Sequence, residues 1–161
     1  MRTGLLSSLC LCLAAASAQA QTCKKTPAPF LPDLFPKEVS GLPLEFSTAP
    51  GAGCMVLYRP ADAEARQSTV WASVSAETEP DATLGETAES VSLRFAASGT
   101  TMLTVDGWPV AFSQKATGDE YLTVRGSVRV KVSVKNGDHG EASQAFASGI
   151  LQQMLAKVPC G

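Results

Sequence analysis

Few residues in this chain are of a type that does chemistry, and their spacing limits what that chemistry can be. The single histidine, His139, stands in the run Asn136-Gly137-Asp138-His139-Gly140. As a general base it needs a third group to orient its ring, and Asp138 is too close in sequence to do so in the usual way. No G-x-S-x-G nucleophile elbow accompanies it. A zinc site at His139 would draw on thiols, which in this chain are expected to be oxidised. His139 therefore reads as a solvent-exposed residue, and neither a catalytic residue nor a metal ligand is assigned. The 15 Asp and Glu side chains could still furnish a catalytic pair, because such pairs meet in space and not in sequence. Most fall in expected loops or helix starts, where solvation accounts for them. A hydrolase that joins carboxylates to His139 is the enzymatic alternative. Gly51-Ala52-Gly53 lacks the Lys-Ser/Thr ending of a phosphate loop, and no helix is expected after it. It reads as a turn, and no cofactor is implied.

Of 5 cysteines, Cys10 and Cys12 precede the expected cleavage site, which leaves Cys23, Cys54 and Cys160. In an oxidising compartment three cysteines make one bridge and leave one thiol. Cys23 with Cys160 is the preferred pair, because it ties down two otherwise loose flanks. Cys54 with Cys160, which would fasten the last helix to the sheet, stays open as the alternative. None of the three lies in the C-x-x-C form typical of redox work.

Two charged runs invite a binding role. Arg125, Arg129, Lys131 and Lys135 fall on alternate positions with valines between them, a basic stripe on the outer side of the expected main strand. It is the candidate surface for an unknown protein or a small acidic ligand. Only Tyr121 offers an aromatic ring nearby, so a stacking platform for nucleic acid is poorly supplied. A formal net charge of −2 points to neither nucleic acid nor a membrane surface. The opposite run holds Glu77, Glu79, Asp81, Glu86 and Glu89 with no base among them. It suits a solvated loop leading into a helix N-terminus, and it lacks the EF-hand spacing. Its functional reading is a plug for a basic site, as in a protein inhibitor or immunity factor.

These residues must be positioned by a small number of elements. Residues 1–20 read as a signal peptide: Arg2, an apolar run at 5–16, and Ala18-Gln19-Ala20 as the cleavage site. Cleavage after Ala20 implies a periplasmic or secreted protein. The apolar run is too short to span a bilayer, and no later stretch approaches the necessary length. Residues 21–43 form an arm interrupted by Pro27, Pro29, Pro32, Pro36 and Pro43, with Phe30, Leu31, Leu34 and Phe35 available to cover one end of a core. Residues 44–161 form a single α+β domain.

Within that domain, period-two alternation marks strands near 42–47, 54–59 and 70–76. Residues 84–97 fit strand and helix templates alike. The acids in the first half, Arg94 near the end and Gly99 beyond it favour helix. Asp106-Gly107 predicts a two-residue hairpin that sets Val105 against Trp108, Leu103 against Val110 and Thr101 against Phe112. Pro109 places the second of these strands at an edge or turns its missing donor outward. Residues 113–120 read as a polar loop. Residues 121–135 then read as one long strand bent at Gly126, because a continuous strand keeps every valine on one side. A last helix begins under a cap from Asp138 with Glu141 three residues on. It carries the stripe Phe146, Ile150, Met154, and Pro159 ends it. Gly149 within it suggests close packing against the sheet.

The chain is thus expected to fold as a mainly antiparallel twisted sheet of about six strands with a C-terminal helix on one face and a second helix at 84–97. The expected function is that of an exported small non-enzymatic binding or interaction protein of a bacterial envelope, presenting the basic strand face or the concave space between sheet and helix.

Overall fold

The turn at Asp106-Gly107 sets the register at one end of the sheet. Both residues take positive φ, 50° and 76°, which is the backbone of a type I′ hairpin and one that Asp and Gly tolerate. Val105 faces Trp108, Leu103 faces Val110 and Thr101 faces Phe112, as the alternation predicts. The protein is described by a computed structural model covering residues 21–47, 53–81, 83–136 and 140–160. The signal peptide expected at 1–20, and Asp138 and His139, lie outside the described residues.

A 3-10 turn at Leu31–Leu34 is followed by β1 (Glu38–Val39), β2 (Leu42–Ser47), β3 (Gly53–Tyr58), the short helix α1 (Ala65–Ser68) and β4 (Trp71–Thr78). Then come α2 (Ala88–Ala96), β5 (Thr101–Val105), β6 (Trp108–Lys115), β7 (Gly118–Arg125), β8 (Val128–Lys135) and α3 (Glu141–Leu155). The fold is α+β. The strands form one antiparallel sheet of 8 in the order β1-β2-β3-β4-β8-β7-β6-β5.

Two strands more than expected arise from β1 and from a different path at 121–135. That stretch is not one bent strand but the hairpin β7–β8, with Arg125 opposite Val128 and Val124 opposite Arg129. Gly126 at φ 54° opens a two-residue turn with Ser127, the pattern of a type II′ hairpin. Folding back over two residues exchanges the parity of the faces. Tyr121, Thr123 and Arg125 share a face with Val128, Val130, Val132 and Val134, while Leu122 and Val124 join Arg129 and Lys131. A continuous strand is attractive only if one face alone is covered, and here both are.

The inner face carries the main core. Val56, Tyr58, Val74 and the four valines of β8 pack against Phe146, Ala147, Ile150, Leu151 and Met154 of α3. The proline-rich segment joins them: Leu34, Phe35 and Val39 are buried in the same cluster, and the Tyr58 hydroxyl donates to the Pro36 carbonyl at 2.6 Å. The outer face is covered at one end only. There α2 brings Val91, beside Leu84, onto Val124, in a second cluster that includes Trp108, Cys23 and Leu155. Thr87 caps α2 by accepting from the Ser90 N–H at 3.0 Å, so the helix is shorter than the expected 84–97.

Cys23 is bonded to Cys160, and Cys54 is free. The bridge lies beside the β7–β8 turn. The Gly126 N–H donates to the Gly85 carbonyl at 2.7 Å and the Cys23 N–H to the Glu86 carbonyl at 2.6 Å, so that arm, turn and α2 entry are laced together. A Cβ on Gly85 would stand 2.6 Å from the Gly126 carbonyl oxygen, and only glycine fits there.

Four local expectations change. Residues 113–120 are not a loop, because β6 runs to Lys115 and β7 starts at Gly118, opposite it. Pro109 is not on an edge strand: β6 lies between β5 and β7. The β6–β7 ladder stops at Ala111 opposite Leu122, and side chains take over beyond it. The Thr123 hydroxyl donates to the Pro109 carbonyl at 2.7 Å and the Trp108 indole N–H to the Val124 carbonyl at 2.9 Å. Gly149 is not held in close packing, since a Cβ there would meet no atom beyond the helix's own backbone within 4 Å. The N-cap position of α3 is Gly140, two residues beyond the capping residue expected. No helix among the described residues is long and apolar enough to cross a membrane.

Candidate functional site

The parity exchange at Gly126 divides the four basic residues. Arg129, Lys131 and Lys135 are on the outer face, on alternate positions of β8, while Arg125 is on the inner side. Its guanidinium lies 5.3 Å from the centroid of the Trp108 ring, and Nη1 donates to the Leu155 carbonyl at 3.1 Å. Its Nε is buried with no hydrogen-bond partner among the described residues. Arg125 therefore anchors the end of α3 and is not part of a surface stripe.

The outer three differ in how far they are engaged. Arg129 is bound to Glu79, whose side chain is 1% exposed. Lys135 donates to the Thr117 hydroxyl at 3.1 Å. The Lys131 ammonium makes no hydrogen bond among the described residues. Its ammonium is 3.9 Å from Glu120 Oε1, and Lys115 stands 3.9 Å from Oε2 of the same carboxylate. Two ammonium groups thus share one carboxylate at distances too long for a hydrogen bond.

Lys131 also lines a cleft. Strand pairing sets Met55, Ser75, Lys131, Leu122, Ala111 and Met102 in one row across the outer face. At the covered end the C-terminal part of α2 stands over this row. Phe95, Ser98 and Thr100 on one side, with Ala111, Phe112, Ser113, Glu120, Leu122 and Lys131 on the other, enclose about 200 Å³. The Ser98 and Thr100 hydroxyls are spent on the Phe95 carbonyl, at 2.7 and 2.8 Å. The Ser113 hydroxyl has no hydrogen-bond partner among the described residues. The cleft therefore has apolar walls and one polar end made by Lys131, Glu120 and Ser113.

Phe112 also lines a second cleft, of about 300 Å³, where Thr101, Leu103 and Tyr121 meet Gly140, Glu141 and Gln144. The Tyr121 and Ser143 hydroxyls lie 3.3 Å apart and are buried beside it. Burial raises the Tyr121 phenol above its ordinary pKa, Ser143 working the other way, so Tyr121 stays protonated at neutral pH. Burial likewise raises the Cys54 thiol, which disfavours the nucleophilic thiolate. Among the described residues no group of His, Cys, Asp and Glu is placed to hold a metal ion.

Two members of the acidic run are structural. Glu79 is the buried partner of Arg129, and its Oε1 accepts the Asp81 N–H at 2.9 Å. Asp81 accepts from the Thr83 N–H and hydroxyl, which hold its carboxyl below the usual range. Glu77, Glu86 and Glu89 are exposed. Among the described residues the large apolar side chains left exposed are Phe30, Phe46 and Leu93, which stand before the 3-10 turn, on β2 and on α2.

Phe95, Ser113, Glu120 and Leu122 are the site residues that sequence reasoning missed. Finding them required the β6–β7 hairpin, whose sign is Gly118. Gly118 takes φ 138°, and a Cβ there would fall 2.0 Å from the Val134 carbonyl oxygen. That contact is to β8, far along the chain, so the glycine reads locally as a loop residue. Comparison of the chain with protein-family models, with curated proteins and with solved structures finds no match.

Proposed function

We propose that this is an exported, non-enzymatic binding protein, periplasmic or secreted in a bacterial envelope, and that it holds a small ligand in the cleft between α2 and the outer face of β6, β7 and β8. The observation that carries the proposal is the lining of that cleft: partly buried Phe95 and Leu122 beside a lysine whose ammonium makes no hydrogen bond among the described residues. Concave, mainly apolar sites with a few convergent polar groups are where small molecules bind. Export is supported by the leader-like residues 1–20 and by the Cys23–Cys160 bridge, a bond that persists in oxidising compartments. A plug built on the acidic run is less favoured, because Glu79 is spent on Arg129.

The test is a small-molecule screen on the processed protein, read by amide chemical shifts. Binders are expected to move Ser113, Leu122 and Lys131, and Ser113→Trp, which fills the cleft, is expected to abolish the response while thermal unfolding is unchanged. Binders whose shifts map elsewhere and survive Ser113→Trp overturn the site. N-terminal sequencing of the protein recovered from the producing cell is expected to begin at Gln21, and an intact Met1 overturns export by a cleaved leader.

A further inference from the structure

Resting on the reading of this cleft as the binding site, we infer that its ligand is a small amphipathic monocarboxylate, its chain or ring against Phe95, Ala111 and Leu122 and its carboxylate on Lys131 and Ser113. Size comes first. About 200 Å³ lies below the roughly 300–1,000 Å³ usual for drug-sized ligands, so the ligand has few heavy atoms. Charge comes second. The charged residues that line the cleft are Lys131 and Glu120, and Lys115, outside the lining, sets a second ammonium 3.9 Å from the same Glu120 carboxylate. A cationic ligand would need Glu120 to itself, but two ammonium groups already flank it at 3.9 Å. A carboxylate meets an excess of positive charge and a lysine free to donate.

A dianionic phosphate is less well served. It calls for a guanidinium fork or a helix N-terminus, whereas the other cations of the β7–β8 hairpin are committed to Glu79, Thr117 and Leu155 and the nearby end of α2 is its C-terminus. That end carries partial negative charge, which would oppose any anion if its carbonyls were bare. They are not: the Phe95 carbonyl accepts from the Ser98 N–H, the Ser98 hydroxyl and the Thr100 hydroxyl, and the Ala96 carbonyl accepts from the Gly99 N–H. The apolar walls supply the remaining affinity, so the ligand needs a hydrocarbon part as well as a charge.

The experiment titrates the processed protein at pH 7 with octanoate, octanol and octylammonium, followed by amide shifts. Octanoate is expected to bind about tenfold more tightly than either congener, since a charge-assisted hydrogen bond contributes about that factor. Lys131→Gln, at a side chain 48% exposed, is expected to erase this preference by bringing octanoate down to the affinity that the same variant shows for octanol. Equal binding of octanoate and octanol in the cleft, or a preference for octylammonium, overturns the carboxylate inference while the cleft stands as the site. No response of Ser113, Leu122 and Lys131 to any of the three overturns the inference and counts against the cleft itself.

Discussion

Arg129 directs Nε and Nη2 at one oxygen, Oε2 of Glu79, each at 2.8 Å. The other oxygen takes the Asp81 N–H, and the Glu79 N–H donates to the Ser127 carbonyl at 2.9 Å. This buried carboxylate is tolerated because the guanidinium and a backbone donor replace its water. Arg129→Met removes the guanidinium and leaves the charge in place. The expected loss is about 2–3 kcal/mol, below that for a fully buried pair because the Arg129 side chain is 36% exposed. Urea unfolding measures it. Adding Glu79→Gln to Arg129→Met should recover part of the loss, and two losses that simply add would show that the pair is not coupled.

The bridge between Cys23 and Cys160 spans a sequence separation of 137. By loop-closure entropy a link of that length stabilises by about 4–5 kcal/mol. Cys23 is fully buried in the cluster with Leu84, Val91 and Trp108, so replacing it would mix lost packing with the lost bond. Cys160→Ala keeps the Cys23 sulfur in place and isolates the cross-link. This variant is expected to unfold at markedly lower denaturant and to be cut by trypsin at Lys24 and Lys25 while still folded. Unchanged stability and unchanged cleavage would mean that hydrogen bonds alone hold the arm.

What was legible in the sequence was set by how local its cause is. Asp106-Gly107 fixes its own hairpin, so the register at Val105 and Trp108 followed from adjacent residues. The stripe Phe146, Ile150, Met154 marks α3 for the same reason. Gly126 marks a break in the alternation, but whether it bends a strand or turns a hairpin depends on whether the far side of Leu122 and Val124 is covered. That cover comes from Val91 and Leu84, many residues earlier. The basic stripe loses Arg125 for the same reason, while Arg129, Lys131 and Lys135 share the outer face. Glu79 and Arg129 are 50 residues apart, and no local pattern announces such a pair. The cleft is the least legible feature, because it needs the β6–β7 register and the seat of α2 together.

Gly149 lies inside α3 with no atom beyond the helix's own backbone within 4 Å of where its Cβ would be. Glycine there carries the entropic penalty of a flexible backbone with nothing gained from close approach. Gly149→Ala is expected to stabilise by about 0.5–1 kcal/mol, seen as a raised thermal midpoint with unchanged ligand response. Destabilisation would show that α3 packs more tightly on its partners at this position than the open space implies.

Tyr58 links the arm to the core and gives the fold an alkaline limit. Its ring is fully buried, its hydroxyl donates to the Pro36 carbonyl at 2.6 Å, and burial raises its phenol above the ordinary value. The folded state therefore holds this proton more tightly than the unfolded chain, where the pKa is about 10. For a group raised in this way the stabilisation is complete below the unfolded value and falls as pH rises beyond it. Stability should thus decline with a steeper slope above about pH 10. Tyr58→Phe removes the titrating group and should flatten that slope, leaving the smaller part due to Tyr121, which burial shifts in the same direction. At pH 7 the same variant should be less stable by about 1–3 kcal/mol, because the Pro36 carbonyl loses its donor in a buried place. Denaturant midpoints of the two proteins between pH 7 and 11 separate the effects. A constant difference across that range would mean that Tyr58 does not titrate with folding.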